Sequence, residues 1–428
     1  MNNSRVVITG MGVLSSIGNN LDDFLLSLKE GKCGIQKIPQ LEELGFGCQV
    51  GGLINLTVSP YYSYIDQFLL NEASNVVKYA VVAGLEAWVN AGLTLPENME
   101  NEPDYNTGII TGSAIGTVDI YEHNILPNVQ NKTIRRLRST TVEHSMLSAP
   151  SANLAGILGI ANYIGFNSSA CSTGTESVIL GYRHIKNGYA KRMIVGGVDI
   201  FTPAGWAGFD AMRVTNRTSN HQPQRASRPM SASASGFVPA EGAGMLVLED
   251  YQTAIERDAP IIAEIVGGYI NSGGQRNGGT MTAPSSVGVI RCIQEAIKEA
   301  NINPNTIDLI SGHLSSTMAD VLEVQNWSLA LNRKEKNFPY INSLKSLTGH
   351  NIGATGAIET IAAALQLKHQ FIHPSLNCED VHPDIARIII DEKIPHQSKN
   401  NISLQYAIKS SFGFGDTNAV LILKTYKR

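Results

Sequence analysis

Four short apolar runs punctuate the chain: Arg5 to Thr9 (RVVIT), Gly108 to Thr111 (GIIT), Arg192 to Val195 (RMIV) and Met245 to Glu249 (MLVLE). They are too short for buried helices and lack polar alternation, so they read as strands covered on both faces. Between them lie segments with helical period: Leu21 to Lys29, Asn75 to Asn90, Ser172 to Asn187 and Gly288 to Ala300. Strands alternating with helices predict an α/β protein with a parallel or mixed sheet. At ~150 residues per domain, 428 residues leave room for two or three domains. Asp250 to Ile261 (DYQTAIERDAPI) reads as a crossover between two halves. Each half opens on an apolar strand ending in glycine (RVVITG, AEIVGG), which is compatible with a duplicated topology, although no sequence repeat accompanies it. The polar stretch Thr215 to Ser235 is expected to be a long surface loop.

Composition narrows the function. With 43% hydrophobic residues the chain can bury large cores, and intrinsic disorder is excluded. Lys plus Arg number 33 and Asp plus Glu 37, a formal charge of −4, without the basic excess of a nucleic-acid binder. No stretch has the ~18 uninterrupted apolar residues of a membrane span, and none near the start resembles a signal peptide. The five cysteines include no C-x-x-C pair, which argues against a disulfide framework or thiolate zinc site. A cytoplasmic protein with small-molecule or protein partners is expected.

Three residues stand out chemically. Cys171 lies among small residues (SSACSTG), just before the helix-period residues Val178, Ile179, Tyr182 and Ile185. A cysteine at a helix N-terminus meets free N–H groups and the positive end of the dipole, which lower a thiol's pKa and hold an oxyanion. His313 (LISGHLSST) and His350 (SLTGHNIGATG) each follow a strand-like run and precede a helix. All three should therefore emerge where open α/β sheets bind ligands, at strand C-terminal ends. Taken singly, the cysteine reads as a packed core residue and each histidine as a cap; taken together at equivalent strand-to-helix junctions, they read as a site. Near the end, AIKSSFGFGDTNAVLILK reads as a strand, a glycine-rich turn carrying Phe412 and Phe414, and a closing strand. Gly10-Met11-Gly12 suggests a dinucleotide turn, but Ser15 breaks the pattern and no acid ends a second strand.

Taken together, RVVITGMGVLSSIGN, SACSTG, SRPMSASASGFVPAEGAGMLVLED, GHLSST, SLKSLTGHNIGATGAIE and SSFGFGDTN resemble the β-ketoacyl-acyl-carrier-protein synthases of the thiolase-like superfamily. The resemblance is to the elongating type II enzymes with a Cys-His-His triad. It implies a duplicated five-layer α-β-α-β-α fold. Residues 1–255 would form the half with the nucleophile, and residues 256–428 the half with both histidines and the gating loop. It also implies decarboxylative Claisen condensation of an acyl group, held on Cys171, with malonyl-acyl carrier protein. In that scheme His313 and His350 assist decarboxylation, and the amides of Cys171 and Phe414 form the oxyanion hole. Lys345 and Glu359 match the supporting pair, and Thr282, Ser315 and Thr317 match pantetheine-contacting hydroxyls. Phe414 matches the gate, and Ile115, Trp206 and Phe209 match acyl-pocket positions. Acyl carrier protein is the implied partner, within a homodimer or a heterodimer with a related ketosynthase chain. No cofactor is implied beyond the carrier's phosphopantetheine, and no metal.

Departures from the family pattern accompany the resemblance. Leu314 replaces a glycine, so a positive φ there would be costly. Asp416 replaces the last glycine of Gly-Phe-Gly-Gly and should bring a carboxylate to the gate. Ser231, Ala234 and Ser235 replace charged loop residues, Trp206 replaces a smaller one, and NEASNVVKYA offers a carrier protein only Lys78. Two alternatives are a thiolase acting on coenzyme A thioesters and a non-condensing, chain-length-factor-like partner. The first needs a second cysteine in the C-terminal glycine turn, whereas Cys378 lies elsewhere. The second usually lacks the nucleophile.

Overall fold

The computed structural model describes residues 4–96 and 102–427. Its apolar runs form strands of a ten-stranded mixed sheet. The first half supplies β1 (Val6–Leu14), β2 (Thr107–Gly112), β3 (Ile164–Asn167), β4 (Arg192–Asp199) and β5 (Gly242–Asp250). The second half supplies β6 (Ala263–Ser272), β7 (Leu309–Ser311), β8 (Tyr340–Asn342), β9 (Tyr406–Gly413) and β10 (Thr417–Thr425). Across the sheet the order is β8-β7-β9-β10-β6-β1-β5-β4-β2-β3. Counted outward from the β6/β1 seam, each half runs first, fifth, fourth, second, third. The inner two pairings of each half are antiparallel and the outer two parallel. The topology is therefore duplicated, and the seam rests on three register pairs, Val6–Ile265, Val7–Glu264 and Ile8–Ala263.

Helices beside the sheet include α1 (Asn75–Asn90), α2 (Ala149–Leu158), α3 (Thr173–Lys186), α5 (Ser286–Ala300), α6 (Ala319–Leu331) and α7 (Thr355–His369), and α4 (Pro203–Ala211) follows β4. Alternating strand residues feed separate cores, as strand geometry requires. On β5, Leu246 and Leu248 face α3 and α7, while Met245 and Val247 face α1 and α2. On β10, Leu421 and Leu423 join the central core, while Val420 and Ile422 pack with α5 and α6. The three cores separate five layers: α1/α2, the first sheet half, α3/α7, the second sheet half and α5/α6. The central helix α7 is enclosed by both sheet halves, and thirteen of its residues are buried.

The first turns of α3 and α7 meet backbone to backbone. A Cβ on Gly174 would lie 2.5 Å from the Ala357 nitrogen, and one on Gly356 would lie 2.3 Å from Thr175 Oγ1. Only glycine permits this approach. It brings together the loops that precede the two helices, which carry Cys171 and His350.

Two local expectations change. Gly10, Met11 and Gly12 continue β1 instead of forming a turn. Residues 215–235 are irregular but not a free surface loop, since buried Asn216 donates to Ala226 O and Ser235 Oγ. Ser227 donates to Lys345 O, and Arg228 pairs with Glu379 and Asp380. Short polar side chains bonding to backbone hold this segment down.

Candidate active site

Cys171, His313 and His350 follow the C-terminal ends of β3, β7 and β8 and line one cavity of about 500 Å³. The sulfur and one nitrogen of each ring lie within 4.8 Å of one another. The two imidazoles meet edge to face, with centroids 5.4 Å apart and planes at 80°. Cys171 sits in the 3-10 turn Ala170–Ser172 that leads into α3. Ala170 adopts φ +50°, and Ile352, just after His350, adopts φ +51°. A left-handed β-branched residue is a genuine outlier, and such strain collects at functional sites.

The backbone N–H groups of Cys171 and Phe414 favour the thiolate at this position. They and Lys345 pull the thiol pKa down, but burial outweighs them and pushes it up to about 11. This corrects the expectation of a lowered thiol pKa: the dipole contribution is smaller than the cost of a desolvated thiolate. Burial, reinforced by Lys345 and Lys409, holds both histidines well below their ordinary range, so they are neutral near pH 7. Nδ1 of His350 accepts the Ile352 N–H at 3.0 Å, which places the ring proton on Nε2. Nδ1 of His313 is buried and finds no partner among the described residues.

A buried ionic cluster fixes the His313 backbone. Its N–H donates to Glu323 Oε1 at 2.7 Å, and its carbonyl accepts from Lys345 Nζ. Lys345 also bridges Glu359 at 2.7 Å, with both side chains 1% exposed. Burial raises the Glu323 carboxyl pKa. On the opposite side, Asp199 accepts from Ser113 Oγ and from the N–H groups of Ala114, Ile115 and Gly353. It thereby pins the loop after β2 to the turn ahead of α7.

Residues 3–254 match the family description "Beta-ketoacyl synthase, N-terminal domain", and residues 262–379 match "Beta-ketoacyl synthase, C-terminal domain". The chain is 34% identical over 429 residues to 3-oxoacyl-[acyl-carrier-protein] synthase 2 of Vibrio harveyi, covering 99% of each. It is 33% identical over 425 residues to 3-oxoacyl-[acyl-carrier-protein] synthase 1 of Escherichia coli K12, again with 99% of each covered. The chain belongs to the β-ketoacyl synthase family. Among solved structures, a type II polyketide acyl carrier protein in complex with its ketosynthase bound to the hexaketide superposes with a TM-score of 0.87. That likeness is at 27% identity and covers 99% of this chain and 100% of that one. The ishigamide ketosynthase/chain length factor gives the same TM-score at 26% identity, with the same coverage.

Within this β-ketoacyl synthase fold, Thr282, Ser315, Thr317, Phe209 and Phe414 line the cavity together with the three central residues. Ser315 and Thr317 hydroxyls lie 3.1 Å apart, and the Phe209 and Phe414 rings 6.5 Å apart. Ile115 and Trp206 are not on the cavity wall; they pack with Ile38, Leu41 and Phe201 in a separate apolar cluster. Asp416 is not at the gate either. Its side chain is fully buried and accepts the N–H groups of Ser285 at 2.8 Å and Gln275 at 2.9 Å. Gly415 N–H in turn donates to Met281 O at 2.8 Å, so the Phe414 turn and residues 273–285 form one bonded unit. A Cβ on Gly273 would lie 2.2 Å from an Asp416 oxygen, so that glycine makes room for the carboxylate. Leu314 is buried without a positive φ; the left-handed residue is Ser316, at φ +64°. The anticipated strain at Leu314 is therefore absent.

Sequence reasoning missed Glu323, Asp199 and above all Lys409. Lys409 is fully buried in β9 and lies 2.9 Å from Glu359. Its signal was a lysine in the strand YAIKSSFG, two serines ahead of the Phe-Gly-Phe turn.

Proposed function

We propose that this β-ketoacyl synthase condenses an acyl group with malonyl-acyl carrier protein, using Cys171 as nucleophile and His313 and His350 as partners of the decarboxylation. The observation that carries the reading is a neutral thiol met by two backbone N–H groups and two neutral imidazoles in one cavity. In the first half-reaction Cys171 sulfur bonds to the thioester carbonyl carbon. The pantetheine sulfur leaves and takes up the proton that Cys171 gives up, and the Cys171 and Phe414 amides hold the transient oxyanion. With the thiol pushed up to about 11, that proton leaves during attack, with a neutral imidazole at hand to carry it. In the second half-reaction malonyl loses carbon dioxide. His350 Nε2–H donates to the enolate oxygen, and His313 stands beside it. The enolate carbon then bonds to the acyl carbon as the carbon–sulfur bond breaks, and the Cys171 thiolate takes up a proton from water by way of an imidazole.

Acyl carrier protein is the partner that this chemistry requires, with its pantetheine arm passing Thr282, Ser315 and Thr317. Exposed Arg135, Arg136 and Arg138 offer an acidic carrier the charges that the Lys78 helix lacks. The edge strand β3 exposes Ile164 at 46%, with Tyr163 just ahead of it at 49%, an open edge suited to a second copy or a related chain. The work is cytoplasmic and needs neither metal nor cofactor. No helix among the described residues is long and apolar enough to cross a membrane.

Intact-mass spectrometry after incubation with a panel of acyl-acyl carrier proteins tests the reading. One acyl group is expected on the wild-type chain and none on Cys171→Ala, with malonyl-acyl carrier protein then discharging it as a 3-oxoacyl product. A chain that is never acylated is a non-condensing partner subunit.

A further inference from the structure

One arm of the cavity wall, along α6, is left unused by the condensation steps. It follows one face of α6, where Ala319, Leu322 and Asn326 recur at helical spacing, with Val289 of α5 and Phe412 of β9 across from them. Exposure falls from 77% at Met318 through 36% at Leu322 to 2% at Asn326, so the arm runs inward from the mouth. Asn326 is its least exposed member, three residues (a rise of about 4.5 Å) beyond Glu323, which holds the His313 backbone.

The polar neighbours of Asn326 on α6 are satisfied. Glu323 accepts from the N–H groups of His313 and Leu314, both at 2.7 Å, and Asp320 accepts from those of Ser315 at 2.8 Å and Met230 at 2.9 Å. Asn326 is the exception. Among the described residues no hydrogen bond engages its carboxamide, and the residue, only 2% exposed, lines the cavity. The carboxamide is open to the cavity, so the place for its partner is the cavity itself. A carboxamide can donate to a carbonyl and accept from a hydroxyl, whereas a methylene chain offers it nothing.

We propose that Asn326 is a specificity-determining residue that reads an oxygen substituent on the acyl chain. The α6 arm then selects oxygenated acyl groups over fully reduced ones of the same length. This rests on the condensing function proposed above and specifies its substrate class.

The test uses the full-length protein with octanoyl-pantetheine and 5-oxo-octanoyl-pantetheine, reading the rate of Cys171 acylation by intact mass. The wild type is expected to favour the oxo chain, and Asn326→Leu to lower that preference about tenfold. Asn326→Ser, smaller and still polar, should keep part of the preference and covers the case in which the leucine variant does not fold. Acylation of Cys171 by both probes with no wild-type preference, or with one unchanged in both variants, overturns the assignment and leaves the condensing function standing. Failure of both probes to acylate the wild type removes the two together.

Discussion

Lys409 Nζ lies 2.9 Å from Glu359 Oε2, whose other oxygen holds Lys345 at 2.7 Å, so one buried carboxylate is shared by two ammonium groups. Both cations disfavour an imidazolium at His313 and at His350. Lys409→Met removes one of them and should move the acid limb of malonyl decarboxylation to higher pH, while the wild-type limb lies below the ordinary histidine value of ~6.5. The sign for stability follows. A histidine with a depressed folded pKa binds fewer protons than the unfolded chain below ~6.5, so its contribution erodes stability as pH falls. That erosion should be shallower in Lys409→Met. A pH–rate profile unmoved by the substitution would show that Lys409 only fills space.

The Asp416 carboxylate holds two N–H groups on the far side of the gate turn. Asp416→Asn keeps its volume but sets an NH2 against one of those donors, at a cost of about 1–3 kcal/mol. Hydrogen exchange should then quicken in residues 273–285 and 413–417 together, and kcat/KM should fall. Faster exchange in one segment alone contradicts a shared latch.

Ala170 carries φ +50° immediately before the nucleophile. Ala170→Gly relieves the left-handed strain and should stabilise the protein by about 1 kcal/mol. Thermal unfolding measures this, and a lowered Tm would locate the strain elsewhere.

Cys171→Gln removes the nucleophile but leaves both imidazoles, so it should release carbon dioxide from malonyl-acyl carrier protein without forming a condensation product. His350→Ala should lower decarboxylation about 10²–10³-fold, with acylation of Cys171 better preserved. Equal loss of both half-reactions in His350→Ala argues against separate roles.

The sequence displayed the central residues because each stands at a strand-to-helix junction among small residues, a local pattern that the fold preserves. Lys409 and Glu323 lacked such a signal. A charged residue within a strand or helix reads as a solvated face until the opposing layer is known. Asn326 was hidden for the same reason. Asp416 was legible as a departure but not in its direction, since its carboxylate turns beneath a loop 131 to 141 residues earlier in the chain. Trp206 and Ile115 were matched by position along the chain, and the cavity runs past them.

The contact between Gly174 and Gly356 has a consequence for biosynthesis. Cys171 is translated well before His350, and its surroundings are incomplete until α7 has left the ribosome and slid between the sheets. A truncated product of the first half alone would carry a sulfur without its proton carriers, unable to trap acyl groups productively. Reactivity is in this way withheld from the nascent chain and appears with the last central helix.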